Sequence, residues 1–243
     1  MVKSFSELVA VVTGGSRGYG AGIAESLKNR GAEVWITGRD DGALKDMAKR
    51  LGVRAVRADV TVSDDWDRLF DDILKAAGRL DILVNNAGAG IRIAPVVEQT
   101  DDEISRSISV NLTGAILGCR RAAPVMKKQK SGTIVNISSI CATEAWPGWA
   151  VYSAAKAGMV QFSKCLYAEL REAGVRVTNV IPSWGATQFS QSAGIPQLDE
   201  EHQRLAIQPG DIGELVANIC LLPSHLEVLD MTILPMIQEI VPL

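Results

Sequence analysis

Histidine and cysteine are scarce. The two histidines, His202 and His225, stand far apart with no nearby ligand pattern, so no metal site is expected. Four cysteines, Cys119, Cys141, Cys165 and Cys220, are scattered and form no CxxC pair. A chain of 243 residues does not need disulfide staples, and reduced, mostly buried thiols are expected. Long basic runs are also missing. The net charge is -3, and the densest cationic stretch, Lys127-Lys128-Gln129-Lys130, falls where a helix should end and its dipole favours cations. Nucleic acid is therefore not an expected partner. No stretch approaches the ~20 apolar residues of a membrane helix, so no membrane partner is expected. Residues 1–12 hold one lysine and a short apolar run that leads into a glycine turn, unlike a secretory signal. A cytoplasmic location is the expectation.

What is present is an ordinary globular balance, 47% apolar and 22% charged, in a length that suits one domain over residues 1–243. Short runs rich in Val and Ile, at 8–13, 33–37, 53–58, 80–85, 132–138 and 175–181, predict strands buried on both faces. Helical patterns lie between and after them, at 18–30, 41–51, 63–77, 101–130, 151–173 and 210–222. This alternation predicts an α/β fold, an open parallel sheet with helices on both faces. The one long irregular piece, 183–208, is expected to be a substrate-binding loop or lid.

The first strand runs into Thr13-Gly14-Gly15-Ser16-Arg17-Gly18-Tyr19-Gly20, and a helix follows. Such a unit aims backbone N–H groups and the positive end of a helix at a pyrophosphate. The spacing differs from the common GxGxxG fingerprint, and a tight turn without a ligand is the alternative. The second strand ends Ile36-Thr37-Gly38-Arg39. NAD-binding sheets place a carboxylate at that end for the ribose 2′-hydroxyl. Here glycine and arginine take its place, and a guanidinium suits a 2′-phosphate. Arg17 can reach the same phosphate. At about 1.5–3 kcal/mol per hydrogen bond to a charged group, two arginines favour NADP over NAD by roughly two orders of magnitude. Asp40 and Asp41 read as a helix cap. Asp59, before Val60 at the end of the third strand, suits either an adenine amino group or another cap.

Tyr152 and Lys156 stand four apart on a predicted helix and share a face. An ammonium beside a phenol lowers its pKa, so Tyr152 is expected to titrate low enough for acid/base work near neutral pH. Upstream, Ser139 lies just past a strand end, where its hydroxyl can hold a substrate oxygen; Ser138 is the alternative.

Taken in order and spacing, Thr13-Gly14-xxx-Gly18-x-Gly20, Asn85-Asn86-Ala87-Gly88, Asn111, Ser139 and Tyr152-xxx-Lys156 resemble the short-chain dehydrogenase/reductase family over about residues 8–190. The resemblance implies a single doubly wound Rossmann-type domain with a seven-stranded sheet. It implies NADP(H)-dependent reduction of a carbonyl, or oxidation of the matching alcohol. Tyr152 would be the acid/base and Ser139 the binder of the substrate oxygen. Lys156 would hold the nicotinamide ribose and tune Tyr152, and Asn111 would anchor a water linking Lys156 to solvent. Gly14, Ser16, Arg17, Gly18, Tyr19, Arg39, Asp59, Val60, Asn86, Ala87, Gly88, Pro182 and Thr187 would line the cofactor with Tyr152 and Lys156. The long helices at 101–130 and 151–173 imply a homotetramer or homodimer. A catalytically silent NADP-binding scaffold or redox sensor is the alternative, against which the intact set of Asn111, Ser139, Tyr152 and Lys156 stands.

The sequence departs from the family at several places. Its usual Pro-Gly-x-Val-x-Thr is Pro182-Ser183-Trp184-Gly185-Ala186-Thr187. Tyr19 stands where Ile or Leu is usual beneath the nicotinamide, its hydroxyl either in need of a partner or turned outward. Residues 231–243 lack the common Val-Asp-Gly-Gly ending and carry Leu234-Pro235-Met236-Ile237, as in a minority branch of reductases. That puts the standard C-terminal tetramer contact in doubt. Trp146, Trp149, Trp184 and Phe189 fall around the expected mouth, either as an apolar substrate pocket, with Trp146 and Trp184 against the substrate, or as ordinary packing.

Overall fold

β-Branched side chains suit a pleat packed on both faces, and the strands form where they concentrate. In the computed structural model, which describes residues 5–238, these are β1 (Val9–Thr13), β2 (Glu33–Gly38), β3 (Arg54–Arg57), β4 (Ile82–Asn85), β5 (Gly132–Ile137), β6 (Val175–Pro182) and β7 (Asp230–Ile233). Residues 1–4 and 239–243, the outer ends of the two terminal stretches discussed above, lie outside the described residues. The strands form one parallel sheet in the order β3-β2-β1-β4-β5-β6-β7. The order reverses between β1 and β4, and a crevice opens at their carboxyl ends.

The helices are α1 (Gly18–Asn29), α2 (Asp41–Leu51), α3 (Ser63–Ala77), α4 (Asp101–Ile108), α5 (Gly114–Gln129), α6 (Ala150–Leu170), α7 (Phe189–Ala193), α8 (Glu200–Leu205) and α9 (Pro209–Cys220). Ile23 and Leu27 of α1, Leu44 of α2, and Ile212 and Val216 of α9 pack on one face of the sheet. Trp66, Leu69 and Ile73 of α3, Met126 of α5, and Leu166 and Leu170 of α6 pack on the other. Asp40 caps α2, accepting from Ala43 N–H at 3.1 Å, as its position predicts.

Three expectations change. The 101–130 helix is broken by a π turn at Ser109–Thr113, where the Gly114 N–H bonds the Ser109 carbonyl five residues back. The Asn111 amide takes up the Ser107 carbonyl at 2.9 Å, which accommodates the extra residue. The 183–208 segment is not irregular throughout, because α7 and α8 lie within it. Its base is closed by Ala186 N–H to Ile207 C=O and Ile207 N–H to Trp184 C=O, each 2.9 Å. The strand β7 has no counterpart among the six runs read as strands, because its Asp230-Met231-Thr232-Ile233 is a short, half-exposed edge. Among the described residues no helix is long and apolar enough to cross a membrane.

Candidate active site

The crevice is set by a clasp between β1 and β4. Thr13 Oγ1 accepts from the N–H of Asn86 and of Ala87, both at 3.0 Å. Asn86 Nδ2 donates back to the Thr13 carbonyl at 2.8 Å. Between them the chain turns through Gly14 and Gly18, with φ of 64° and 53°, values that favour glycine. No side chain caps the α1 N-terminus and no acidic residue sits in its first turn, so its amide end offers an anion site free of competing carboxylate.

Cations gather where β2 ends. Arg17 Nη2 lies 3.1 Å from Asp40 Oδ2, with both side chains more than half exposed. Such a pair is worth at most about 1 kcal/mol and yields readily to a phosphate. A Cβ at Gly38 would meet Leu44 and the Ser16 hydroxyl only at 3.8 Å, so crowding does not exclude a carboxylate there. Arg39 is exposed beside it. Arg57, which the sequence reading missed, is the register partner of Gly38, and its Nε donates to the Arg39 carbonyl at 3.2 Å. The alternation of β2 and β3 across a parallel pair is the signal that would have found it. Asp59 Oδ1 is committed to the N–H and hydroxyl of Thr61, at 2.9 and 2.8 Å. Val60 packs against Gly114, and its carbonyl accepts from Trp66 Nε1 at 2.8 Å.

Deeper in the crevice, Gly88 is exposed and flanked by two polar groups. A Cβ there would lie 2.9 Å from Asn111 Oδ1 and 3.4 Å from Lys156 Nζ. Asn111 is fully buried. Its Nδ2 donates to the Ala89 carbonyl at 2.8 Å, and its Oδ1 accepts from the Ala89 N–H at 3.1 Å. Lys156 Nζ donates to the Ile137 carbonyl at 2.9 Å, which leaves two of its three N–H groups for other acceptors.

Burial pulls Lys156 from 10.5 down to about 8. Below pH 8 it is charged in both the folded and unfolded chain, and the full desolvation cost is present. Between about 8 and 10.5 the unfolded chain holds the extra proton, so stability rises with pH. The drop corresponds to on the order of 3 kcal/mol. Lys156→Met should therefore stabilise the cofactor-free protein at pH 7 by up to that amount. Urea denaturation checks this, and the gap to the unsubstituted protein should close as pH approaches 10.5. A gap that stays constant with pH would contradict the stated cause.

The Tyr152 phenol is buried, and burial pushes its pKa above the usual value. This reverses the expected depression. Lys156 Nζ sits 5.8 Å from the ring centroid, and after burial it is Cys141 that pushes the phenol further up. The Ser139 hydroxyl hydrogen-bonds Tyr152 and opposes the rise. Ser138 is committed elsewhere, its Oγ donating to the Lys156 carbonyl at 3.1 Å, so the structure brings Ser139 and not Ser138 to the phenol. The helix carrying Tyr152 and Lys156 is pinned to the sheet by a buried chain, Asn85 Nδ2 to Asn136 Oδ1 at 2.8 Å and Asn136 Nδ2 to Ser163 Oγ at 2.7 Å.

Aromatic rings close over this group. Trp149 meets Tyr152 edge-on at 5.7 Å, Phe189 of α7 lies 5.4 Å from Tyr152, and Trp149 and Phe189 stack at 6.3 Å. Trp146, Ile93 and Leu234 join Ile140, Cys141 and Tyr152 in the same cluster. Cys141 is a second residue that the sequence reading did not place here, and burial raises its thiol pKa. Trp184 is not among them: it is 40% exposed and packs against His202 at 6.4 Å. Pro182 ends β6, and Thr187 approaches the glycine turn, its methyl 3.4 Å from where a Cβ at Gly18 would stand.

The model of the short chain dehydrogenase family matches residues 8–197. An uncharacterized oxidoreductase of Staphylococcus saprophyticus is 35% identical over 234 residues, 93% of this chain and 97% of the relative. The closed form of a serine dehydrogenase complexed with NADP+ superposes with a TM-score of 0.90 at 28% identity, covering 97% of this chain and 98% of the other. A 3-ketoacyl-(acyl-carrier-protein) reductase from Brucella melitensis complexed with NADH does so with a TM-score of 0.86 at 29% identity, covering 94% and 98%. With its glycine turn, its seven-stranded sheet and a match over most of its length, this chain belongs to the short-chain dehydrogenase family of oxidoreductases.

Proposed function

We propose that the protein is an NADP(H)-dependent oxidoreductase that reduces a ketone or aldehyde to an alcohol, or runs the reverse. The observation that carries this is the convergence of Tyr152, Ser139 and Lys156 at the carboxyl end of the sheet, with Asn111 behind Gly88. The chain's groups fit a nicotinamide dinucleotide. The uncapped α1 N-terminus and the glycine turn suit its pyrophosphate. Arg17, Arg39 and Arg57 suit the 2′-phosphate. The exposed notch at Gly88, which a Cβ would fill, leaves room for the nicotinamide ribose beside Lys156. When bound, such a cofactor exchanges a hydride with the substrate carbon.

The chain's own residues handle the oxygen and the proton. In reduction, Ser139 donates a hydrogen bond to the carbonyl oxygen and Tyr152 transfers its phenolic proton there as negative charge develops. The phenolate left behind is reprotonated from the Lys156 side. Burial keeps the cofactor-free phenol protonated at neutral pH, so the proton needed for reduction is in place. The enclosure by Trp146, Trp149, Phe189 and Leu234 favours an apolar carbonyl compound. Half-buried apolar residues on α5 and α6, among them Leu117, Val125 and Phe162, suit a face covered by a second copy in a homodimer or homotetramer. A cytoplasmic location completes the proposal.

The test is label transfer. NADPH carrying deuterium at its transferable position should deliver it to the carbinol carbon of an apolar or aromatic ketone. Label appearing in no product across a series from small polar to large aromatic ketones would sink the assignment.

A further inference from the structure

Tyr19 stands at the first turn of α1, directly after the glycine turn. Its hydroxyl is buried and has no hydrogen-bond partner among the described residues. A buried phenolic O–H is costly to leave unpaired, so an orphan of this kind marks a place where something absent from the chain completes the bond. Two walls stand against it. On one side is the glycine turn itself. On the second is the segment after β6: a Cβ at Gly185 would lie only 2.0 Å from Tyr19 Oη and 2.6 Å from Cζ. Gly185 stands where the family pattern has valine, so the tip of the Tyr19 ring takes space that a side chain at 185 would fill. Tyr19 also raises the pKa of the Tyr152 phenol. Burial and the charge of Asp211 hold Tyr19 protonated, so it offers a donor. Ser183 Oγ, two residues before Gly185, is likewise buried and unpartnered.

We propose that Tyr19 is a nicotinamide-binding residue: its hydroxyl donates a hydrogen bond to the carboxamide oxygen of the bound cofactor, and Gly185 is the residue that makes room for it. This rests on the NADP(H) assignment above. The hydroxyl stands beside the turn that suits the pyrophosphate and against Gly185 of the segment after β6, and the carboxamide is the polar group of the nicotinamide ring. Substituting Tyr19 therefore acts on the nicotinamide half of the cofactor and leaves the adenosine half untouched.

The experiment compares Tyr19→Phe with the unsubstituted protein in binding alone. NADPH is titrated by its fluorescence. Adenosine 2′,5′-bisphosphate, which carries the 2′-phosphate but no nicotinamide, is titrated by calorimetry. The phenylalanine variant should bind NADPH about fivefold to tenfold more weakly, the scale of one lost neutral hydrogen bond. Its Kd for the bisphosphate should not change, and its cofactor-free melting temperature should not fall, since the change removes an unpaired buried group. Equal NADPH affinity, or equal weakening of both ligands, would overturn the proposal. If the unsubstituted protein binds neither ligand, the NADP(H) assignment fails and the role of Tyr19 with it.

Discussion

Replacing Tyr152 with phenylalanine should lower kcat/KM for carbonyl reduction by about 10²- to 10⁴-fold, the contribution of a positioned general acid. The fold should not change. The ring keeps its contacts with Trp149 and Phe189, and only the hydroxyl that faces Ser139 is lost. NADPH affinity should remain close to that of the unsubstituted protein, because Lys156 keeps its anchor on the Ile137 carbonyl and the glycine turn is untouched. Steady-state kinetics with a parallel NADPH titration separates the two effects. Retained turnover would remove Tyr152 from the proton-transfer step. Turnover and NADPH binding lost together would mean that the phenol organises the site rather than delivering the proton.

Cofactor choice carries the second large effect. Arg39→Asp removes a guanidinium from the end of β2 and puts a carboxylate within reach of the ribose. The ratio of kcat/KM with NADPH to that with NADH should fall by roughly 10²-fold, as charge-assisted hydrogen bonds to the 2′-phosphate are replaced by repulsion. Arg17 and Arg57 remain, so NADPH should still be used. Position 39 is exposed, and an exposed substitution of this kind leaves stability within about 0.5 kcal/mol. An unchanged ratio would show that Arg39 does not read the phosphate.

The parts of this molecule that were legible in its sequence are those where one local pattern has one physical meaning. β1, Val9-Ala10-Val11-Val12-Thr13, is buried at every position, and an apolar run followed by glycines has few other folds open to it. Asp40 caps α2 as its place before the helix predicts. Tyr152 and Lys156 do share a face of α6 and converge with Ser139. What was not legible depends on partners distant in sequence. β7 is half-exposed and gains its identity only by pairing with β6, Asn179 with Asp230 through Pro182 with Ile233. The π turn at Asn111 is held by hydrogen bonds to Ala89, 22 residues away. Arg57 joins the cations at the end of β2 only through the β2–β3 register. Trp184 falls within the 183–208 segment in sequence, yet it packs on His202 of that same segment and not on the cluster around Tyr152. The direction of the Tyr152 shift also escaped, because the spacing of a lysine carries no information on how far burial strips solvent from the phenol.

The central claim is NADPH-dependent turnover of a carbonyl. The most direct measurement is the rate of cofactor oxidation with an apolar and aromatic ketone series, run side by side with NADPH and NADH on the unsubstituted protein. The account predicts turnover of at least one apolar ketone, with NADPH favoured by about 10²-fold in kcat/KM. Tight NADPH binding with no oxidation by any member of the series would contradict it, and would mark the protein as a cofactor-binding scaffold that has kept the catalytic residues without the reaction.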